Sequence, residues 1–251
     1  QYEKLPPLPA LALLEVGRLC AEEGDNEKAR EAYERVIATY RTEGDMVAEA
    51  RFALAELAYR EEDYDEVLAI YKDMQEEVGA EGPISEMARQ SYIRSSLAKA
   101  ASERRSGELR LAVKTYQELI EYDYDLLEAH RGLLATYHAL GESAKGVERY
   151  EREVKERPAS PTARYALGLA YTYLDPPRVD AAIDEVTLAI QVNAQLVYPH
   201  MTLGWLYEQK ERAEPGKGYL ERAADEYQIA LALNDETTNP QTEADIELNL
   251  G

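Results

Sequence analysis

Residues Leu127 to Ser160, LEAHRGLLATYHALGESAKGVERYEREVKERPAS, constrain this chain more than any other stretch, because their apolar pattern recurs along the whole sequence. Counted from Leu127 as position 1, Leu133 and Leu134 fall at 7 and 8 and Tyr137 at 11. Gly146 falls at 20, Tyr150 at 24 and Pro158 at 32. Apolar residues spaced three and four apart share one face of an α-helix. The stretch therefore reads as two short amphipathic helices with a turn between them. A chain of such units escapes the usual length-based count of domains, because each unit packs only on its neighbours.

The same ruler finds six units and the start of a seventh. Residues 1–9, QYEKLPPLP, hold three prolines, and each disfavours helix in the residue before it, which predicts an extended lead-in. The first unit, 10–47, has Leu13, Val16, Gly17 and Cys20 at 4, 7, 8 and 11, on one expected helix face. Gly24 and Asp25 break that helix, and Asp25 or Asn26 can cap the next. Ala29, Tyr33 and Val36 follow at 20, 24 and 27. The second unit, 48–83, repeats the pattern with Leu54, Ala55 and Ala58, then Val67 and Tyr71; a long connection, YRTEGDMV, delays it. The third, 84–126, is irregular, with a first helix about one turn too long and Tyr116 at position 24. The fourth is 127–160. The fifth, 161–196, carries Leu167, Gly168 and Tyr171 and then Ala182, Val186 and Ala189. The sixth, 197–237, carries Leu203, Gly204 and Tyr207 and then Ala223, Tyr227 and Ala230. In 238–251, Leu250 and Gly251 match positions 7 and 8 of a further first helix, the start of a seventh unit.

This pattern resembles the tetratricopeptide repeat (TPR), a helix–turn–helix unit of 34 residues. The resemblance implies an all-α fold, a right-handed TPR superhelix (α-solenoid) of about six repeats. It also implies a non-enzymatic scaffold for protein–protein interaction. In such repeats small residues at 8 and 20 let two helix backbones approach, and an aromatic at 24 fills the gap toward the neighbouring unit. Over residues 10–80 the stretched repeats are similar to those of bacterial envelope TPR proteins, which points to the envelope or periplasm, with the cytoplasm as the alternative.

Composition supports a packed helical chain and narrows its partners. Hydrophobic residues make up 45% and charged residues 31%, enough apolar surface for a continuous core. The formal charge is −21, which disfavours nucleic acid and anionic membranes and favours basic partners. No apolar run approaches a membrane span. One cysteine allows no internal disulfide; Cys20 falls at a core position and reads as a buried thiol. His130, His138 and His200 are the three histidines; their spacing does not suit a shared metal, and they read as surface or groove residues. Pro215-Gly216-Lys217-Gly218 lacks the features of a phosphate loop. No catalytic residue, metal or cofactor is expected.

In TPR arrays, positions 2, 5, 9, 12 and 13 of the first helices face a concave groove. Chaperone-binding members place Lys and Asn there to clamp a C-terminal carboxylate. Here the first unit has Leu14 and Arg18 at positions 5 and 9 and the second has Phe52 and Glu56, so that clamp is absent. The fourth unit contributes Arg131 and His138, and the fifth Thr172. The fifth and sixth units place Tyr165, Leu169, Tyr173, Tyr198, Met201 and Trp205 on one expected surface. Aromatic residues with adaptable Met and Leu are the types that dominate binding hot spots. The expected ligand is a peptide or helix of a partner protein, its basic flanks favoured by Glu208 and the acidic C-terminal region. Packing of these side chains on each other is the alternative reading of the cluster. At the level of function the alternatives are a structural spacer and the regulatory part of a multidomain protein.

Overall fold

A computed structural model describes residues 7–78 and 82–237. Among these residues the chain forms twelve helices and no strand. They are α1 (Leu8–Glu23), α2 (Asn26–Thr39), α3 (Gly44–Arg60), α4 (Tyr64–Val78), α5 (Pro83–Arg105) and α6 (Leu109–Tyr122), then α7 (Leu127–Ala139), α8 (Ser143–Glu156), α9 (Pro161–Thr172), α10 (Val179–Val192), α11 (Val197–Ala213) and α12 (Tyr219–Thr237). Helices α1 and α2, α3 and α4, α7 and α8, α9 and α10, and α11 and α12 pair into hairpins, the all-α solenoid class anticipated from the sequence. The expected start of a seventh unit, 238–251, lies outside the described residues.

The chain divides into two compact units, residues 1–99 and 100–251. In the first, Ala10 and Leu14 of α1 pack with Ala29, Tyr33 and Val36 of α2 and with Leu54 and Leu57 of α3. The turn from α1 to α2 is set locally. Gly24 adopts φ +82°, a left-handed conformation that costs glycine little, and the Asp25 N–H donates to Cys20 O at 2.8 Å. The Asp25 carboxylate then accepts from the Lys28 N–H at 3.2 Å, a cap that satisfies one of the free N–H groups of the first turn. In the second unit, Ala182, Val186 and Ala189 of α10 pack with Tyr165 of α9 and Leu203 and Leu206 of α11. Leu134, Val147 and Tyr150 form a neighbouring cluster with Ala166, Leu167 and Ala170.

Position 24 works as the repeat logic requires. Tyr33, Tyr71, Tyr116, Tyr150 and Tyr227 are all buried, with Val186 in the same role. Their space comes from missing side chains opposite. A Cβ on Gly204 would lie 2.7 Å from the Tyr227 ring, and one on Gly168 would lie 2.6 Å from Val186 and 3.0 Å from Ala182 O. Those distances leave no room for even a methyl group.

Three expectations are corrected. Leu8 and Pro9 belong to α1 and not to an extended lead-in: Pro7 is the N-cap and proline suits the first turn, where no N–H is needed. Val16 is 48% exposed. A residue at position 7 is covered by the preceding hairpin, and among the described residues no helix precedes α1. Leu14, expected to face the groove, is buried because α1 packs on both α2 and α3 and turns the stripe Ala10, Leu14, Gly17 inward.

Candidate functional site

A cleft of about 340 Å³ opens in the second unit between α7, α9 and α11. That volume falls at the lower end of ligand-site sizes, roughly 300–1,000 Å³. Helix α9 presents Leu169 and Thr172 to it, three residues apart on one face, and Tyr173 at its C-cap adds its ring. The start of α9 is fixed by Ser160, whose hydroxyl accepts from the Ala163 N–H at 3.1 Å, and by Pro161 in the first turn. Helix α11 presents Met201, Thr202 and Trp205, and α7 presents Arg131.

Four of the six residues expected on this surface therefore line one cleft: Leu169, Tyr173, Met201 and Trp205. Trp205 is 37% exposed, while Met201 is buried and forms the deeper wall. Tyr198 flanks the cleft, its ring centroid 4.1 Å from the Arg131 guanidinium carbon. Tyr165 departs from the expectation. It is fully buried beneath the cleft, in the cluster with Leu203 and Leu206, and its hydroxyl accepts from Thr202 at 3.4 Å. Burial pushes its hydroxyl up to about 12. The Thr202 position was not legible from groove numbering. The need of a buried tyrosine for a hydrogen-bond partner is the signal that points to it.

The rim is ordered by aromatic and amide contacts. The Tyr173 ring packs on His138, centroids 5.1 Å apart. With the Gln209 amide oriented so that its oxygen faces the indole, it accepts from Trp205 Nε1 at 3.2 Å and from Arg212 at 3.0 Å. Glu208 does not face this cleft. Its carboxylate accepts from the Tyr227 hydroxyl at 2.7 Å and lines a separate depression with Arg212 and Leu220.

The histidines divide. His138 is exposed. His130 and His200, expected at the surface or in the groove, are buried. Position 4 of a first helix faces the turn before it, and each ring sets Nε2 against the carbonyl six residues back: Tyr124 O at 2.7 Å and Ala194 O at 3.1 Å. Nδ1 of His130 meets the Tyr150 hydroxyl at 2.7 Å. The neutral tautomer satisfies both bonds, donating from Nε2 and accepting at Nδ1, and burial holds the His130 pKa below its ordinary value. Nδ1 of His200 meets the Glu226 carboxylate at 2.6 Å. Cys20 is half-buried against the first core cluster. Among the described residues no group of three or more His, Cys, Asp or Glu is arranged to hold a metal, and no helix is long and apolar enough to cross a membrane.

A sequence profile described as tetratricopeptide repeat matches residues 1–44, 17–80 and 97–161. The human Protein O-mannosyl-transferase TMTC1 is 25% identical over 217 residues, a match that spans 85% of this chain and 23% of the relative's length. Among solved structures, MamA (41-end) from Desulfovibrio magneticus RS-1 is 16% identical with a TM-score of 0.40, covering 76% of this chain and 97% of that one. TTC0263, a thermophilic TPR protein of Thermus thermophilus, is 16% identical with a TM-score of 0.37, covering 78% and 98%.

Proposed function

This chain belongs to the tetratricopeptide repeat family, and we propose that it acts as a non-enzymatic scaffold that holds an apolar segment of a partner protein in the cleft between α7, α9 and α11. The observation that carries the reading is the composition of that cleft. Leu169, Tyr173, Met201 and Trp205 converge on one concavity, with Trp205 partly open to solvent. Such side chains are costly on a surface that touches nothing and effective as anchors when a partner covers them. The non-enzymatic reading draws on the two buried histidine clusters: each ring is bonded on both nitrogens within the fold. A preference for basic flanks rests on the net charge of −21, since Glu208 is engaged with Tyr227. The likeness of residues 10–80 to bacterial envelope repeats extends the reading to a partner in that compartment.

The test is selection from a displayed library of random peptides, followed by titration against wild type and the Tyr173→Ala/Trp205→Ala double variant. Selected peptides should carry apolar anchors and bind the double variant at least thirtyfold more weakly, the equivalent of about 2 kcal/mol. Equal affinity for both proteins, each folded by circular dichroism, would remove the cleft from the function and favour a structural spacer.

A further inference from the structure

We propose that the segment held in the cleft is extended, and that Tyr173 positions it by donating a hydrogen bond from its hydroxyl to one of the segment's main-chain carbonyls. This rests on the cleft being the recognition site.

Of the three tyrosines on α9 and its C-cap, two have their hydroxyls engaged within the fold. Tyr165 Oη accepts from the Thr202 hydroxyl at 3.4 Å, and the Tyr171 hydroxyl donates to Glu151 at 3.2 Å. Tyr173, the C-cap residue, packs its ring on His138 and lines the cleft. Burial pushes its hydroxyl up, and that hydroxyl makes no hydrogen bond to any of the described residues. A phenol drawn out of water gains by finding a partner. The positive charges of Arg131 and Arg104 counter the effect of burial. They polarise the O–H and make it the better donor.

Two further hydroxyls of the lining complete the pattern. Thr172 donates to Leu169 O at 2.7 Å and Thr202 to Tyr165. Each has spent its hydrogen and keeps lone pairs that can accept. The cleft therefore sets a donor and two acceptors beside the apolar walls of Leu169, Met201 and Trp205. A main-chain amide carries one acceptor and one donor to match. In a helical ligand those groups are bonded within the helix except at its ends, so side chains alone would meet the lining. In an extended ligand they are open, and successive side chains point to opposite sides. One side chain can then seat as the anchor while a neighbouring carbonyl reaches Tyr173.

The experiment uses linear peptides from the library selection. Each is compared with its amide-to-ester analogues, one main-chain position at a time, and with a lactam-stapled helical form, against wild type and Tyr173→Phe. That substitution removes one oxygen and keeps the ring on His138; circular dichroism checks the fold. Tyr173→Phe should weaken binding of the linear peptide about fivefold. At one position beside the anchor, the ester should cost wild type a similar factor and Tyr173→Phe nothing further. The stapled helix should bind wild type more weakly than the linear peptide does. Equal affinity of the linear peptide for both proteins, ester losses equal in both proteins at every position, or a stapled helix that binds as tightly as the linear form would each overturn this proposal. With Trp205→Ala still weakening the linear peptide, the binding function would stand. Selected peptides indifferent to Trp205→Ala would overturn both.

Discussion

The inner positions of the first two hairpins and those of the last three are built on the same helical ruler and filled in opposite ways. On α1, Arg18 pairs with Glu15 at 2.6 Å and with Glu22 on its own helix. On α3, Arg60 pairs with Glu56 at 3.3 Å. These are exposed pairs one turn apart, with Glu56 also 3.8 Å from Arg94 of α5, and water screens them so that each adds little to stability. On α9 and α11 the inner positions carry Leu169, Met201 and Trp205, which with Tyr173 at the end of α9 converge on a cleft instead of forming ion pairs. The difference teaches that the repeat fixes where a side chain points, while the residue placed there decides whether the surface is a row of ion pairs or an aromatic cleft.

The contrast should be widest in binding. Trp205→Ala should weaken a selected apolar peptide by about 2 kcal/mol or more, whereas Arg18→Ala should leave that affinity unchanged; titration of both variants with one peptide compares the two regions directly. Packing should erase the contrast. Gly17→Ala would set a methyl 2.5 Å from the Tyr33 ring, and Gly204→Ala one 2.7 Å from the Tyr227 ring. Both should cost about 1–3 kcal/mol, read as a lowered urea midpoint; a large loss at one site and none at the other would show that the hairpins are not equivalent scaffolds.

Acid should bring the contrast back, more weakly. All three histidines lie in residues 100–251. Because burial lowers the folded-state pKa of His130 below its ordinary value, its contribution is complete above the ordinary imidazole value. It is lost as the pH falls from there through the lowered value. Urea unfolding followed by Trp205 fluorescence should show a midpoint that drops over that window, and His130→Leu should flatten the drop. The smallest effect should be on stability in the first region, where Arg18→Ala should leave the urea midpoint indistinguishable from wild type.

Periodicity made the hairpins legible because it is a property of the local chain. The spacing of Leu133, Leu134, Tyr137 and Tyr150 fixes two helix faces whatever surrounds them. The same spacing misjudged Val16, because its exposure depends on whether another hairpin covers α1. It also missed Gly132, which sits at no small-residue position of the ruler, yet a Cβ there would overlap the Tyr116 ring. In the candidate site, the aromatic cluster was legible as composition at groove positions. That Tyr165 lies beneath the cleft, and that Glu208 turns to Tyr227, follow from contacts with residues 37 and 19 positions away, which no local pattern encodes. The histidine pair was misread for the same reason. His130 and His200 are adjacent to nothing unusual in sequence, and their burial comes from carbonyls and partners brought in by the turn and the second helix.

The most direct test of cleft recognition is site-specific photo-crosslinking of a selected apolar peptide. p-Benzoylphenylalanine would replace Thr172 at the cleft in one protein and Arg60 on the inner face of α3 in another. Crosslinks at position 172 alone, abolished by excess unlabelled peptide, are the expected result. Crosslinks at position 60 with none at 172 would contradict a binding site between α7, α9 and α11.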